Sequence, residues 1–490
     1  MSIRMEDSGL ELRPDPARVA LRLFLPGEEM PEGRSRVDET VDRVLVLCVD
    51  ECTDVAEQLV ESFQNRSERW VEAVLEHANT VAVYVDPGIA LTDSQRLVLG
   101  AAFTCEYAVE AASLCNPSVV PHPDQSGLKP HQLRVAVSLR GIGEGHMSSI
   151  GFASAVIGPG DSWQFDERRL PLVDATISEG TWTRKSFRDA LGDAGLIGEV
   201  STTVLGSLPE LFSTSHLEAS IRSLSPELAH RRGAGRTIEL MRATLASAYG
   251  AHFSASSDLS QRVLHPVTAE ESRGMEDARF VLTENPDGTT LYRATYTAHD
   301  GVTVVPRLIT SADLATFQIH RLSGSAATNK GMALFPRPVN GRLLSLTRAD
   351  GETLGLAQST DGMRWDAIAT IHKPTSLWEV VQTGNCGSPL ETAHGWLVLT
   401  HGVGPMRRYS IGAVLLDLEE PEKVIAVLSE PLLEVPASER DGYVPNVVYS
   451  CGGIIHDGTL WLPYGVGDSR VRVAHVDIDD VVQAMTPVVR

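Results

Sequence analysis

One arrangement recurs along most of this sequence and restricts its fold more than any other feature. An apolar run ends in a polar residue, a charged or glycine-rich turn follows, and a second apolar run ends near Ser or Asp. It is found at RVAVSLRGIGEGHMSSIGFASAVI from Arg134, at YRATYTAHDGVTVVPRLITSADLATF from Tyr292 and at LLSLTRADGETLGLAQSTDGMRW from Leu343. It returns at WLVLTHGVGPMRRYSIGAVLLDL from Trp396 and at LWLPYGVGDSRVRVAHVDIDD from Leu460. The last four copies begin roughly 50–65 residues apart, the spacing of an array whose units bury their faces against one another. Ser311–Phe317 and Ser359–Trp365 share the pattern Ser-x-Asp-x-x-x-aromatic, in which the Asp bonds neighbouring backbone and the aromatic packs between sheets. Five such units predict a mainly β fold, a five-bladed β-propeller.

The remaining segments have helical spacing. Val55, Leu59 and Phe63, then Trp70, Val74 and Ala78, recur every four residues, and RVLVLCVD from Arg43 reads as a short strand. Asp93 is placed to cap a helix running to about Cys115. A second helical zone covers residues 184–250, with Ile238, Met241, Leu245 and Ala248 on one stripe and Gly250 as its C-cap. The expected organisation is a mostly helical extension over residues 1–110 and a propeller over 111–490 that carries the helical insertion.

A formal charge of -22 repels phosphate backbones and anionic lipid, which argues against nucleic acid and membrane surfaces as partners. No apolar run approaches the roughly 18 residues of a membrane span, and MSIRMEDSGLELRPD lacks the pattern of a secretory signal, so a cytoplasmic location is expected. The six cysteines have neither disulfide-scaffold density nor zinc-site spacing. GIGEGH from Gly141 lacks the dinucleotide fingerprint, and no metal or cofactor motif is present.

In a propeller the innermost strands line one channel. Aligning the first strand of each unit brings Arg140, His299, Arg348, His401 and Asp468 to equivalent ends, a polar funnel suited to a hydroxylated, anionic ligand. Glu276 and Asp277, in SRGMEDARF, stand just before the second unit. They are either a salt-bridged turn with Arg279 or a general acid held near Arg273 and Arg279, and spacing leaves both readings open.

GMEDARF from Gly274, NKGMALFPRPVNGR from Asn329, GWLVLTHGVG from Gly395, IGAVLLDLEEPEKVI from Ile411, GYVPNVVYSCG from Gly442 and PYGVGDSRV from Pro463 together resemble glycoside hydrolase family 130. This is a five-bladed propeller family of β-mannoside phosphorylases and related β-mannosidases. The resemblance runs from about Asn116 to the C-terminus and is strongest from Gly274 onward; the first 110 residues are similar only to its longer-chain branch. It implies that inorganic phosphate, as co-substrate, attacks a terminal β-mannosyl unit of a manno-oligosaccharide with inversion and releases α-mannose 1-phosphate. By the same resemblance Asp277 is the proton donor, acting through the mannose 3-hydroxyl, and Ala278 stands where the family has proline. Arg140, Lys330, Arg348 and His401 are implied phosphate ligands; Asn116, Glu276, Arg279, Tyr449 and Asp468 are implied sugar ligands. Gln382 departs from the family, whose phosphorylases often have Lys there. Arg407 or Arg408 remain as further cations. Hydrolysis on the same fold and a non-catalytic carbohydrate-binding propeller are the alternatives. Linkage, acceptor and self-association are left open.

Overall fold

Each strand pair read from the sequence is the middle of a larger antiparallel meander in the computed structural model, which describes residues 3–27, 35–67, 69–160, 162–285, 287–436 and 440–488. The first meander runs Ser113–Pro121, Leu133–Ile142, Ser148–Gly158, Ser162–Phe165, and the second runs Gly274–Glu284, Thr290–His299, Val304–Ser311, Thr316–Arg321. The third is Ala333–Leu334, Leu343–Thr347, Leu354–Ser359, Asp366–His372. The fourth is Gln382–Asn385, Gly395–Val403, Tyr409–Leu416, Val424–Val427. The fifth begins with Val448–Tyr449, Thr459–Val466 and Arg470–Asp477, and its outer strand is Glu6–Leu12 from the other end of the chain, with Glu6 opposite His475 and Leu12 opposite Val471. The chain is therefore mainly β.

Every repeat visible in the sequence begins one strand after its meander does. The runs beginning near Arg134, Tyr292, Leu343, Trp396 and Leu460 are second strands, and the first strands are the ones that meet. Phe280 N–H donates to Ser118 Oγ (3.1 Å), Cys451 N–H to Pro117 O (2.7 Å) and Arg279 Nε to Cys386 O (2.9 Å), joining the first strands of two meanders to each other and to the residues just after the first strands of two more. These strands are short or interrupted by bulges, so their apolar runs are weak and the longer second strands dominate the pattern. The first and second meanders share one sheet through Gly274, which pairs with Ser148. At φ 138° only glycine fits there, because a Cβ would lie 2.6 Å from Ser148 N.

Aromatic pairs fill the seams between meanders. Phe152 meets Phe280 edge-on (5.8 Å) and Phe317 in a stack (5.9 Å), Phe335 meets Trp396 (5.1 Å), and Trp163 meets Trp461 (5.8 Å). Phe317 and Trp365, the aromatics of the repeated turn, are both buried. Asp313 Oδ1 accepts from Ala315 N and Thr316 N, and Asp361 Oδ1 from Met363 N and Arg364 N, as that turn requires.

Four helices, Arg36–Val46, Val49–Phe63, Trp70–Val81 and Asp93–Ala102, bury Val41, Cys52, Trp70, Val74, Leu99 and Phe103 in a core of their own. RVLVLCVD is helical rather than a strand. Ser35 and Asp38 form a capping box, and Val37, Val41 and Val44 then fall on one face. The helix at Asp93 is capped by Thr92 and stops at Ala102. The strand Thr104–Ala108 comes next, paired with Val19–Leu23, and leads into the first meander. The insertion holds Arg184–Asp193, Glu199–Ser207, Thr214–Arg222, Pro226–Ala229 and Ala234–Ala246 around Phe187, Val204, Leu217 and Met241. Gly250 is no C-cap: it lies in the strand Tyr249–His252, where a Cβ would meet Ser178 Oγ at 2.4 Å. That strand pairs with Thr316–Arg321, so the insertion hangs on the outer edge of the second meander. No helix among the described residues is long and apolar enough to cross a membrane.

The turn leading into Gly274–Glu284 is pinned by a buried ion pair. Arg307 Nη1 donates to Glu271 Oε1 (2.8 Å) with both side chains fully buried, Tyr249 OH donates to the same oxygen (3.0 Å), and Val267 N and Thr268 N donate to Oε2. Removing Glu271 would leave Arg307 with Glu270 alone (Nη2 to Oε2, 2.7 Å) and strand the Tyr249 hydroxyl and the Val267 and Thr268 N–H groups without their acceptor. Glu271→Ala is expected to cost about 3–5 kcal/mol, measured by denaturant unfolding; a cost below about 1 kcal/mol would mean that the pair is dispensable.

Candidate active site

Asp277 and Asn116 occupy matching irregularities on adjacent first strands. The register shifts between Glu276 and Arg279 on one strand and between Cys115 and Ser118 on the other, and both residues take left-handed backbone (φ 56° and 48°). Each bulge turns one polar side chain toward its neighbour. Asn116 Nδ2 donates to Asp277 Oδ1 at 2.6 Å.

Cations surround this carboxylate. Arg140, two residues before the end of its strand, places Nη1 3.4 Å from Asp277 Oδ1 and Nη2 2.7 Å from Glu276 Oε1, while its Nε donates to Ser148 Oγ at 2.9 Å. Arg279 is buried: Nη1 donates to Asp277 O (2.8 Å), Nη2 donates to Tyr449 OH (3.0 Å), and Nη2 lies 3.8 Å from Asp277 Oδ2. Lys330 Nζ pairs with Glu276 Oε2. Burial alone would raise the Asp277 pKa, yet Arg140, Arg279 and Lys330, with the Asn116 amide, hold it well below the usual carboxylate range.

A second layer stands beside it. Arg348 Nη1 and His401 Nε2 are 3.2 Å apart, and His401 Nδ1 is 3.3 Å from Asn385 O. Burial and the nearby Arg348 and Arg279 keep His401 far below its ordinary pKa, so the ring is neutral. Its Nδ1–H donates to Asn385 and its Nε2 accepts from Arg348. The ring lies 5.0 Å from that of Tyr449. Gly384 provides the floor, for a Cβ there would lie 2.8 Å from Arg348 Cδ and 2.9 Å from His401 Cε1. Asp468, at φ 46° just past its strand, has its carboxyl pushed up to about 6 by burial, which Arg140 only partly offsets.

Four polar atoms in this cluster are buried without a hydrogen-bond partner among the described residues: Asn116 Oδ1, Asp468 Oδ1, Arg348 Nε and Asn385 Oδ1. Each costs on the order of 1–3 kcal/mol unless something binds it, so their concentration around one carboxylate marks a ligand site.

Asn116, Arg140, Glu276, Asp277, Arg279, Lys330, Arg348, His401, Tyr449 and Asp468 are thus joined by contacts or by charge. His299 ends its strand opposite Gly274, and no hydrogen bond or ion pair links it to them among the described residues. Arg273, expected beside the acid, is exposed against Gly301. Arg408 turns outward to Glu434 (3.5 Å), whereas Arg407 is near enough to lower the Asp468 pKa. Gln382 opens its strand opposite Val403. Asn385 was missed in the sequence. Its signal was an Asn inside a strand, beside glycine and cysteine. A cavity of about 460 Å³ lined by Thr283, Arg293, His320 and Phe335 lies at the far end of the Asp277 strand and belongs to a different face.

A guarded carboxylate amid guanidinium groups and unfilled hydroxyl-binding atoms, set at the meeting of first strands, defines a carbohydrate-active enzyme. The chain belongs to glycoside hydrolase family 130. A family model described as β-1,4-mannooligosaccharide phosphorylase matches residues 244–487. The chain is 34% identical over 230 residues to a 1,2-β-oligomannan phosphorylase of Thermoanaerobacter sp. (strain X514), covering 46% of this chain and 75% of that protein. It is 33% identical over 217 residues to a β-1,2-mannobiose phosphorylase of the same organism, covering 43% and 70%. The solved structure of a β-1,2-mannobiose phosphorylase from Listeria innocua aligns with a TM-score of 0.43 at 21% identity, covering 76% of this chain and 92% of that one.

The raised pKa of Asp468 has a stability consequence. Its folded-state value near 6 exceeds the unfolded value of about 3.9, so the penalty for ionising it is absent below about pH 4 and complete above about pH 6. Asp468→Asn should raise the ligand-free Tm at about pH 8, by the equivalent of roughly 1–3 kcal/mol, and leave it unchanged at about pH 4. Equal shifts at both pH values would exclude the charge as the cause.

Proposed function

We propose that the chain catalyses inverting phosphorolysis of a terminal β-mannoside, with inorganic phosphate as co-substrate, Asp277 as proton donor and no cofactor. The reading rests chiefly on one observation: the only carboxylate joined to both Asn116 and Arg140 among the described residues stands inside an arc of cations completed by Lys330 and Arg348. A phosphate oxygen forms the new bond to C1 from the face opposite the leaving sugar. The old C1–O bond breaks with its electron pair on the leaving oxygen, and the proton of Asp277, relayed by the mannose 3-hydroxyl, neutralises it. The products are α-mannose 1-phosphate and the shortened sugar.

Arg forks suit phosphate oxygens, which assigns Arg140, Lys330 and Arg348 to phosphate, with neutral His401 orienting Arg348. Asn116, Asp468 and Tyr449 are assigned to the mannosyl hydroxyls and ring, and the unpartnered Oδ1 atoms of the first two are the natural acceptors. The meanders, joined at their first strands, are read as the five blades of a propeller with this site at its axis. Relatives named for β-1,2-linked substrates favour β-1,2-oligomannosides. A charged sugar product is retained only within a membrane boundary, which favours the cytoplasm. One observation favours hydrolysis instead: Gln382 supplies no charge where phosphorylases often have Lys.

Incubation with β-1,2- and β-1,4-mannobiose, with and without phosphate, decides the reaction. Phosphate-dependent mannose 1-phosphate from the β-1,2 substrate is expected, whereas free mannose without phosphate would establish a hydrolase. Asp277→Asn should lower kcat by about 10²–10⁴-fold with the fold intact, and near-normal turnover would remove Asp277 from the mechanism. Gly384→Ala should displace Arg348 and His401 and raise the KM for phosphate far more than that for the sugar. Equal effects on both would place Arg348 elsewhere in the reaction.

A further inference from the structure

Glu276 has a place that the proposed chemistry does not account for. It is buried, and its two oxygens are divided between two cations: Oε1 accepts from Arg140 Nη2 at 2.7 Å, and Oε2 pairs with Lys330. These are two of the three groups assigned above to phosphate. Arg140 also reaches Asp277 at 3.4 Å, so one guanidinium is shared between the two carboxylates. A carboxylate that occupies both cations stands where an oxyanion would bind.

We propose that Glu276 is a built-in counter-anion that phosphate displaces, and that the arrival of phosphate drives onto Asp277 the proton it must later donate. The inference rests on the phosphorolysis reading. Its physical basis is charge balance in a dry site. Arg140, Arg279, Lys330 and Arg348, with Arg407 beside Asp468, outnumber Glu276, Asp277 and Asp468, so the ligand-free cluster carries a small net positive charge. The other titratable groups around Asp277 are Tyr449, Cys115 and Cys451, held protonated by burial, and the neutral His401. In that state the cations keep Asp277 ionised, which is the wrong form for a proton donor. A hydrogen phosphate dianion takes over Arg140 and Lys330 and leaves Glu276 without partners. The positive excess that kept Asp277 ionised is then cancelled, its share of Arg140 is lost to phosphate, the unneutralised Glu276 stands beside it, and a proton from solvent bonds to an Asp277 oxygen. On turnover that proton leaves with the displaced sugar, and release of the sugar phosphate lets Glu276 return to its cations.

The test is calorimetric titration of the intact protein with inorganic phosphate at about pH 8, in two buffers of different ionisation enthalpy. Uptake of close to one proton per phosphate is expected in the wild type and loss of that uptake in Asp277→Asn. Glu276→Gln should bind phosphate about tenfold more tightly, because its cations are no longer occupied. Its kcat should fall, with the alkaline limb of the pH profile moved to lower pH, because losing a negative neighbour lowers the Asp277 pKa further. Phosphate binding without proton uptake in the wild type would overturn the inference and leave phosphorolysis standing. Weaker phosphate binding in Glu276→Gln would also overturn it, making Glu276 a scaffold for the cations. Absence of any phosphate binding would overturn the inference together with the reaction on which it rests.

Discussion

A buried, ionised Asp277 is the constraint to which the surrounding sheets answer. Removing a carboxylate from water costs several kcal/mol, and only convergent charge and hydrogen bonds offset that cost. Asn116 and Arg140 come from the first meander, Arg279 from the strand of Asp277 itself, and Lys330 from the approach to the third. Tyr449, from the fifth, holds the far side of Arg279. No single meander can satisfy this carboxylate, so the site exists only where several meanders pack against one another.

Backbone strain is concentrated in the same place. Asn116, Asp277 and Asp468 all have left-handed φ, a conformation that Asn and Asp tolerate better than most residues. Asn116 and Asp277 sit at register shifts within their strands and Asp468 in the turn after its own, and each places a polar group in the same cluster. The short polar side chains serve two needs: they lower the local cost of the left-handed backbone, and they supply the polar atoms of the cluster.

Much of this was legible because repeats announce themselves. The second strands are long apolar runs, and their polar ends near Arg140, Arg348, His401 and Asp468 do converge. The first strands were less visible, since a bulge breaks the two-residue alternation that a strand is recognised by, and Ala333–Leu334 and Val448–Tyr449 are too short to have one. Asn116, Glu276, Asp277 and Tyr449 lie on those strands, and only the family resemblance drew Asn116 and Tyr449 into view. The strand read at RVLVLCVD failed for a different reason. A run of valines and leucines satisfies either period, and the capping box just upstream decided for helix. Nor could the pairing of Glu276 with two cations be read from spacing, because Lys330 is 54 residues away in the chain.

The outer strand of the fifth meander, Glu6–Leu12, bears on how the molecule is made. It pairs with Arg470–Asp477, with Glu6 opposite His475, so the two strands meet only when segments very far apart in the sequence come together. Until then Glu6–Leu12 is an unpaired edge, open to strands of neighbouring nascent chains. That pairing joins contacts of very large sequence separation, the kind that form slowly. Because the charged centre at Asp277 draws on residues from Asn116 to Tyr449, it is complete only once these distant segments have packed together.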